Sequence, residues 1–161
     1  MNRGRMITLE GSEGVGKSTN LEVVCKFLEE KRIRYTVTRE PGGTEIAEQI
    51  RDLLLSETRE IMDGLTELLL IFAARNQHLK QKILPELDQG LWVVSDRFTD
   101  ASYAYQAFGR SIAVEKVDLL RELLLICVAV FSMECTLGLN RPLQALCLYQ
   151  LRLLFFLGLL P

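Results

Sequence analysis

The sequence has a single histidine and lacks a paired-cysteine motif, which restricts the metal and redox chemistry that it can support. The 161 residues include four cysteines and one histidine, and no two cysteines have the Cys-x-x-Cys spacing of a zinc or redox motif. The basic N-terminus, Met1–Arg5, is followed only by Met6–Leu9 before the charge of Glu10, which is too short for a secretory signal. A disulfide framework is therefore not expected, and the cytoplasm is the predicted location.

A large net charge and a membrane-length apolar run are also missing. The 19 basic and 21 acidic side chains give a formal net charge of −2, so nothing global attracts nucleic acid or an anionic membrane. The leucine-rich C-terminal stretch is interrupted before it reaches the roughly 18 residues of a membrane span. The interrupting residues are Glu134, Arg141, Gln144, Gln150 and Arg152. We therefore predict neither a nucleic-acid nor a membrane partner.

The apolar residues that are present follow an alternating strand and helix pattern. Buried strands are predicted at Met6–Glu10, Tyr35–Thr38 and Leu91–Ser95. Helical spacing is seen over Lys17–Glu30, Glu45–Leu55, Thr66–Lys82, Ala101–Phe108 and Val114–Leu125. This alternation predicts an α/β fold with one parallel sheet and helices on both faces. Because ligands bind at the carboxyl ends of such strands, Gly11, Arg39 and Asp96 should converge on one crevice.

A glycine-rich segment joins the first strand to the first helix and fits G-x-x-x-x-G-K-[ST] without a mismatch. It reads Gly11-Ser12-Glu13-Gly14-Val15-Gly16-Lys17-Ser18 and is followed by Thr19. Glycine allows the backbone to approach phosphate closely, and successive N–H groups form an anion nest at the helix N-terminus. Lys17 is predicted to reach the β- and γ-phosphates of ATP, and the Ser18 hydroxyl to coordinate Mg²⁺. We interpret the segment as the P-loop of a three-layer P-loop NTPase fold.

Two charged motifs follow the other predicted strands. Asp96 ends the third strand, where P-loop proteins place a second carboxylate beside Mg²⁺, and Arg97 adds a cation next to it. The segment Arg39–Gly43 follows the second strand, and its Pro-Gly-Gly turn can hold Arg39 and Glu40 towards the crevice. A plain loop with solvated charges is the alternative interpretation of that segment.

Several side chains in the helical segments have both a structural and a functional interpretation. Arg75 lies in an apolar stretch, where it either snorkels to solvent or meets an anion, and periodicity alone favours snorkelling. Periodicity also favours a core position for Phe72 and a surface or satisfied helix position for His78. The segment 102–106 carries polar groups that can read a base or sugar edge, although its two tyrosines also suit ordinary amphipathic packing.

Taken in chain order, these motifs resemble those of the bacterial thymidylate kinases over about Met6 to Leu125. The P-loop is shared by many functions, whereas the Arg-Glu-Pro-Gly-Gly-Thr stretch with the later Asp-Arg-Phe is far more specific. The matching stretches are Leu9-Glu10-Gly11-Ser12-Glu13-Gly14-Val15-Gly16-Lys17-Ser18-Thr19, Thr38-Arg39-Glu40-Pro41-Gly42-Gly43-Thr44, Phe72-Ala73-Ala74-Arg75, Asp96-Arg97-Phe98 and Ala104-Tyr105-Gln106.

The resemblance implies an enzyme that phosphorylates dTMP to dTDP with ATP and Mg²⁺, in dTTP biosynthesis. It places Glu13 at the junction between donor and acceptor, and it assigns Arg39 and Arg97 to the acceptor phosphate. Lys17 is the remaining catalytic cation, and Ser18 and Asp96 are the metal-side residues. The family is typically dimeric, so the resemblance also implies a homodimer.

The resemblance further assigns the residues that recognise thymidine. Arg75 would face the thymine together with Phe72 or Ile71; the family usually has an aromatic residue four positions before the arginine, where this sequence has Ile71. The sugar and the rest of the base pocket are assigned to three later residues: Tyr105 under the sugar, and Ser102 and Gln106 around the base.

The sequence departs from the family at two places. Ala107-Phe108-Gly109 stands where the family has Gly-Gly after Tyr-Gln, and Phe108 is expected to crowd the pocket. Residues 126–161 resemble no part of the family, which continues with a strand and an arginine-bearing lid. We therefore predict a kinase domain over 1–125, apparently truncated, and an atypical apolar tail over 126–161, for which a shifted reading frame is one hypothesis.

These departures lower the activity that we expect of this chain. The P-loop carries no arginine and the tail supplies only Arg141 and Arg152, although a single arginine at the migrating phosphoryl group is worth about 10³–10⁵ in rate. The alternatives to a dTMP kinase are another nucleoside monophosphate kinase and an inactive ATP-binding remnant of a disrupted kinase gene.

Overall fold

The fold was described from a computed structural model, which describes residues 3–11, 16–57 and 59–124. The chain divides into two compact units, Met1–Asp118 and Leu119–Pro161, and the sheet and both clefts described below belong to the first. The predicted tail 126–161 lies outside the described residues, so the proposed domain division stays a prediction.

Among the residues that the structure describes, three parallel strands form the sheet, which confirms the predicted α/β architecture. They are β1 (Met6–Leu9), β2 (Tyr35–Arg39) and β3 (Trp92–Asp96), in the spatial order β1-β3-β2. The central strand β3 is in register with both neighbours, and Asp96 pairs with Leu9 on one side and Arg39 on the other. The three strands therefore end at the same level, which is the geometry that brings their following loops together.

The helices lie close to where the apolar periodicity placed them. They are α1 (Lys17–Glu30), α2 (Glu45–Leu55), α3 (Gly64–His78), α4 (Leu84–Asp88) and α5 (Thr99–Ser102), and residues 114–124 are also helical. The helix predicted over Thr66–Lys82 begins two residues earlier because the Asp63 side chain caps it, accepting from the N–H groups of Leu65 and Thr66. No helix within the described ranges is long and apolar enough to cross a membrane.

Two stretches that we predicted as plain α-helix contain π-helical turns. Leu79–Ile83 joins α3 to α4, and Tyr103–Phe108 continues α5. Hydrophobic spacing over so few residues does not distinguish these helical forms, because the π-helix adds only one residue to a turn. The second turn carries Tyr105 and Gln106, and π-helical turns are frequent at functional sites.

The core lies on both faces of the central strand. Val93, Val94 and Ser95 of β3 are fully buried, which is typical of a parallel strand that helices cover on both sides. Leu28 of α1 and Leu68 of α3 are also fully buried. Burying one such side chain stabilises the fold by about 1.5–3 kcal/mol, so the core holds the strand ends in a fixed arrangement.

The Pro-Gly-Gly turn after β2 is held by α2 and α3, so it is not a plain solvated loop, although the Arg39 side chain that precedes it is 55% exposed. Arg51 donates to the Pro41 carbonyl at 2.9 Å, and the Gly43 N–H donates to the Glu48 carboxylate at 2.8 Å. Gly43 has a φ of 86°, and a β-carbon there would overlap the His78 ring and lie 2.6 Å from the Thr38 hydroxyl. Only glycine suits both the backbone conformation and the space.

Gly43→Ala should therefore destabilise the protein. The left-handed backbone alone costs about 1–3 kcal/mol for a residue with a β-carbon, and the contact with His78 adds to it. Gly64→Ala is the matched control, because a β-carbon there would lie 3.4 Å from Ile112 Cδ1, and a change within about 0.5 kcal/mol is expected. Urea unfolding of both variants checks this, and equal free energies of unfolding would contradict the packing described here.

Candidate active site

The end of the glycine-rich segment starts α1 as a P-loop requires. Gly16 caps the helix with a φ of 85° and a ψ of 21°, and the helix begins at Lys17. Gly11, at the other end of the segment, has a φ of 148°. The predicted binding residues Ser12, Glu13, Gly14 and Val15 lie outside the described residues, so their roles stay predictions.

A polar cleft, here called the phosphate cleft, opens where α1 starts and the strands end. Its volume is about 450 Å³. Among the described residues, four cationic side chains line it together with Ser18 and two carboxylates. Of the three residues predicted to converge, Arg39 and Asp96 meet here, whereas Gly11 lines a separate cavity. The lining residues are Gly16, Lys17, Ser18, Arg39, Glu40, Arg51, Asp96 and Arg97.

Arg51 is a member of this cleft that the sequence analysis missed. It lies on α2, two turns after the helix begins, and its side chain reaches back to the turn after β2. Nothing in the sequence distinguishes it from a solvated charge on an amphipathic helix. The only available signal was that α2 directly follows the Pro-Gly-Gly turn and returns past the strand ends.

Asp96 has the environment of a residue that binds a cation. Its Oδ1 is buried and has no hydrogen-bond partner among the residues that the structure describes, and buried polar atoms rarely remain unpaired. Ser18 lines the same cleft. No group of three or more His, Cys, Asp or Glu side chains within the described ranges could hold a metal by itself, whereas Mg²⁺ typically takes one or two carboxylates plus substrate phosphates.

A second cleft, here called the acceptor cleft, adjoins the first and has a volume of about 430 Å³. It contains Ile71, Arg75, Ser102, Tyr105 and Gln106, all of which the sequence analysis considered for base or sugar binding. Glu40 and Arg97 line both clefts. The two clefts therefore meet at one carboxylate and one guanidinium.

Phe72, which was predicted to contact the base, does not line the acceptor cleft. It is buried in the core at 4% exposure and is not among the residues that line the acceptor cleft, whereas Ile71, one position earlier, is. Successive residues on a helix point about 100° apart, so only one of the two can face the cleft. Phe72 instead packs under the Arg75 guanidinium, 4.8 Å from its ring centre.

Arg75 does not snorkel; it is buried at 2% exposure and paired inside the protein. Its Nε donates to Glu40 Oε2 at 2.5 Å, one terminal nitrogen donates to Ser102 at 3.1 Å, and the other donates to the Phe98 carbonyl at 2.8 Å. An uncompensated charge at this depth would cost several kcal/mol. The ion pair therefore decides where the side chain lies.

Glu40 is the residue whose importance the sequence analysis underestimated. Its side chain is 2% exposed, and its second oxygen lies 3.1 Å from His78 Nδ1. His78 Nε2 lies 2.7 Å from the Thr38 hydroxyl, so the single histidine occupies a satisfied helix position, one of the two predicted for it. The chain separates Glu40 from these partners by more than thirty residues, and sequence spacing cannot reveal that contact.

The loop after β3 orients Arg97 across the junction of the clefts. Arg97 has a φ of 70°, and its carbonyl accepts from the Ser95 hydroxyl at 2.8 Å. Its guanidinium lies 5.0 Å from the ring centre of Tyr105 and donates to the Tyr105 hydroxyl at 3.4 Å. A non-glycine residue in this conformation is uncommon and is often found at functional sites.

Comparison with known proteins shows which protein family has this sequence and fold. The family model described as thymidylate kinase matches residues 9–126. The chain belongs to the thymidylate kinase family. It is 54% identical over 142 residues to the thymidylate kinase of Vesicomyosocius okutanii, covering 88% of this chain and 68% of that protein. It is 55% identical over 122 residues to that of Nitrosomonas europaea, covering 76% of this chain and 56% of that protein.

A solved structure shares the fold as well as the family. The thymidylate kinase of Ehrlichia chaffeensis is 36% identical, with a TM-score of 0.67 over 76% of this chain and 70% of that one. Among the curated relatives, the thymidylate kinase of Ruthia magnifica is 54% identical and is covered over 60% of its length. This chain therefore spans between about half and two thirds of the length of these relatives.

Glu48 pairs with Arg39 at the edge of the phosphate cleft. Its Oε2 lies 3.0 Å from an Arg39 nitrogen, and its Oε1 accepts from Gly43. The Gly43 N–H, and after it the charge of Arg39, hold the pKa of the Glu48 carboxyl below its ordinary value of 4.5. A carboxyl with a lowered pKa stabilises the folded state above the unfolded pKa and loses that contribution as pH falls through the folded pKa.

Glu48→Gln should therefore destabilise the protein at neutral pH, and the difference in stability from wild type should narrow as the pH falls below the ordinary carboxyl pKa of 4.5. Glu45→Gln is the matched control, since it removes an acid from the same first turn of α2 and should show a smaller pH-dependent difference. Thermal unfolding of the three proteins from pH 3 to 7 measures this. A constant difference between wild type and Glu48→Gln at every pH would contradict the assigned role.

Proposed function

We propose that this chain binds ATP in the phosphate cleft and dTMP in the acceptor cleft, and that it belongs to an enzyme that transfers the γ-phosphoryl group to give dTDP. The observation that supports this most strongly is the junction of the clefts at Glu40 and Arg97. A phosphoryl transfer needs donor and acceptor phosphates to meet in one cationic space. Membership of the thymidylate kinase family supports the same substrates.

The donor side is supported by the start of α1. The N–H groups at a helix N-terminus favour an anion, and Lys17 adds a positive charge at the same position. We propose that Gly11, Ser12, Glu13, Gly14, Val15, Gly16, Ser18 and Thr19 complete the nucleotide site. Asp96 and Ser18 would hold Mg²⁺, which when bound neutralises part of the phosphate charge.

The acceptor phosphate would be held by arginines from three separate elements. Arg39 ends β2, Arg51 lies on α2 and Arg97 follows β3. The ion pair of Arg39 with Glu48 is roughly half exposed, and such pairs are worth at most about 1 kcal/mol. Arg39 can therefore exchange its carboxylate for a phosphate at little cost.

The base and sugar would occupy the rest of the acceptor cleft. Arg75 presents a guanidinium whose position is fixed by Glu40 and Ser102, and Ile71 supplies an apolar wall. Tyr105, which is 39% exposed, would lie under the sugar, and Gln106 would face the base. We propose that Ile71, and not Phe72, makes the apolar contact with the base.

The chemistry would consist of positioning and charge neutralisation without a covalent intermediate. Lys17 and the three arginines surround the space in which negative charge shifts from donor to acceptor oxygens. A fixed cationic space of this kind needs no reorganisation during the reaction, since the strand ends and the buried Glu40–Arg75 pair hold its walls. A homodimer and a cytoplasmic location stay predictions of the family resemblance.

Lys17→Ala should abolish measurable ATP binding and leave the fold intact, because it removes a charge at the helix start and no core packing. Lys26→Ala, on the exposed side of the same helix, is the matched control and should bind ATP like wild type. Isothermal titration calorimetry with Mg-ATP, and separately with dTMP, measures the affinity of each cleft for its nucleotide. A coupled ADP-release assay measures turnover.

The outcomes separate the alternatives. Binding of both nucleotides with turnover of about 1–100 s⁻¹ is ordinary kinase behaviour. Binding without turnover would indicate the inactive remnant, and preference for another monophosphate would indicate a related kinase. Unchanged ATP affinity in Lys17→Ala would overturn the assignment of the phosphate cleft.

A further inference from the structure

One carboxylate in the acceptor cleft has no role in the function proposed above. Glu67, in the first turn of α3, lines the cleft, and its Oε1 accepts from Gln106 Nε2 at 2.9 Å. Its other oxygen pairs with Arg110 at 3.0 Å, and the Glu67 side chain is 16% exposed. Glu67 therefore lies between a cation and the side-chain amide that is expected to face the base.

A carboxylate in an ion pair accepts hydrogen bonds and cannot donate them. The group of Gln106 that faces Glu67 must therefore be the NH₂, and the amide oxygen must point away from Glu67. Gln106 is buried at 5% exposure. Its backbone carbonyl accepts from the backbone N–H groups of Arg110 and Ile112. Both the backbone and the amide orientation of Gln106 are thus fixed.

Gln106 lines the acceptor cleft, and because its NH₂ faces Glu67, the amide oxygen is the side-chain group left to face a base in that cleft. Within the described residues it accepts no hydrogen bond, and it is not among the buried side-chain atoms that lack a partner. An amide oxygen is an acceptor only, so it favours a base that offers a donor at the facing position. Thymine carries N–H at N3, whereas cytosine presents a lone pair there.

We infer that Glu67 is a positioning residue that fixes the orientation of the Gln106 amide and thereby makes the cleft select thymine over cytosine. The inference rests on the proposed function, because it requires that the base of a pyrimidine monophosphate lies in the acceptor cleft. Arg75 lines the same cleft and its guanidinium can only donate, so the two residues offer a base one donor group and one acceptor. That pattern is complementary to O4 and N3–H of thymine and opposes N3 of cytosine.

Glu67→Gln tests this because it keeps the size of the side chain and lets it donate as well as accept. The Gln106 amide can then turn over and present its NH₂ to the cleft. We expect the ratio of dTMP to dCMP affinity to fall by about tenfold, equivalent to 1.4 kcal/mol, while Mg-ATP affinity stays unchanged. Glu67→Met, which removes the acceptor and adds no donor, should lower the same ratio.

A double-mutant comparison separates orientation from a general structural effect. In a Gln106→Met background no amide remains to be oriented, so adding Glu67→Gln should leave the affinity ratio unchanged. A role in packing alone would lower dTMP affinity by the same factor in both backgrounds and would not change the ratio. Isothermal titration calorimetry with dTMP, dCMP and Mg-ATP gives the three affinities. It is carried out on wild type, Glu67→Gln, Glu67→Met, Gln106→Met and the double variant.

Two results would overturn the inference, and they are distinguishable. If wild type prefers dTMP and Glu67→Gln keeps the same ratio, the orienting role is wrong and the proposed function stands. If wild type binds neither dTMP nor dCMP, the proposed function fails and the inference fails with it.

Discussion

The buried carboxylate of Glu40 is the interaction on which the rest of the site depends. It belongs to the turn after β2, yet its two oxygens contact Arg75 and His78, which lie one turn apart on α3. Removing a carboxylate and a guanidinium from water costs several kcal/mol for each ion. That cost is offset only when both charges stay paired, so turn and helix are held at one separation.

The walls of both clefts follow from this pair. Arg75, once fixed by Glu40, fixes Ser102 and the Phe98 carbonyl on the loop after β3. Glu10, which follows β1, accepts from the Ala101 N–H of α5 at 3.1 Å and ties that helix to the end of the first strand. Burial, and after it the charge of Asp100, raise the pKa of Glu10. The three strand ends are thus linked by side chains as well as by the sheet ladder.

The sequence predicted those structural features that depend on neighbouring residues, and it did not predict contacts between residues far apart in the chain. Strand length, helical periodicity and the P-loop pattern depend on neighbouring residues, and they correctly predicted the three strands and the start of α1. The strand pattern also correctly predicted that Arg39 and Asp96 line one cleft, whereas Gly11, the third residue predicted there, lines a separate cavity. The Glu40–Arg75 pair joins residues 35 positions apart, and no periodicity encodes it. Apolar spacing also could not decide between Ile71 and Phe72, because both are large and adjacent.

The central claim is that Glu40 and Arg75 stabilise the fold and the clefts as a coupled pair. A double-mutant cycle with Glu40→Gln and Arg75→Met, measured as free energies of unfolding in urea, tests it most directly. We expect each single variant to lose about 3–5 kcal/mol because it leaves an uncompensated buried group, and the double variant to lose clearly less than the sum. Additivity within about 0.5 kcal/mol would show that the two residues act independently and would contradict the account.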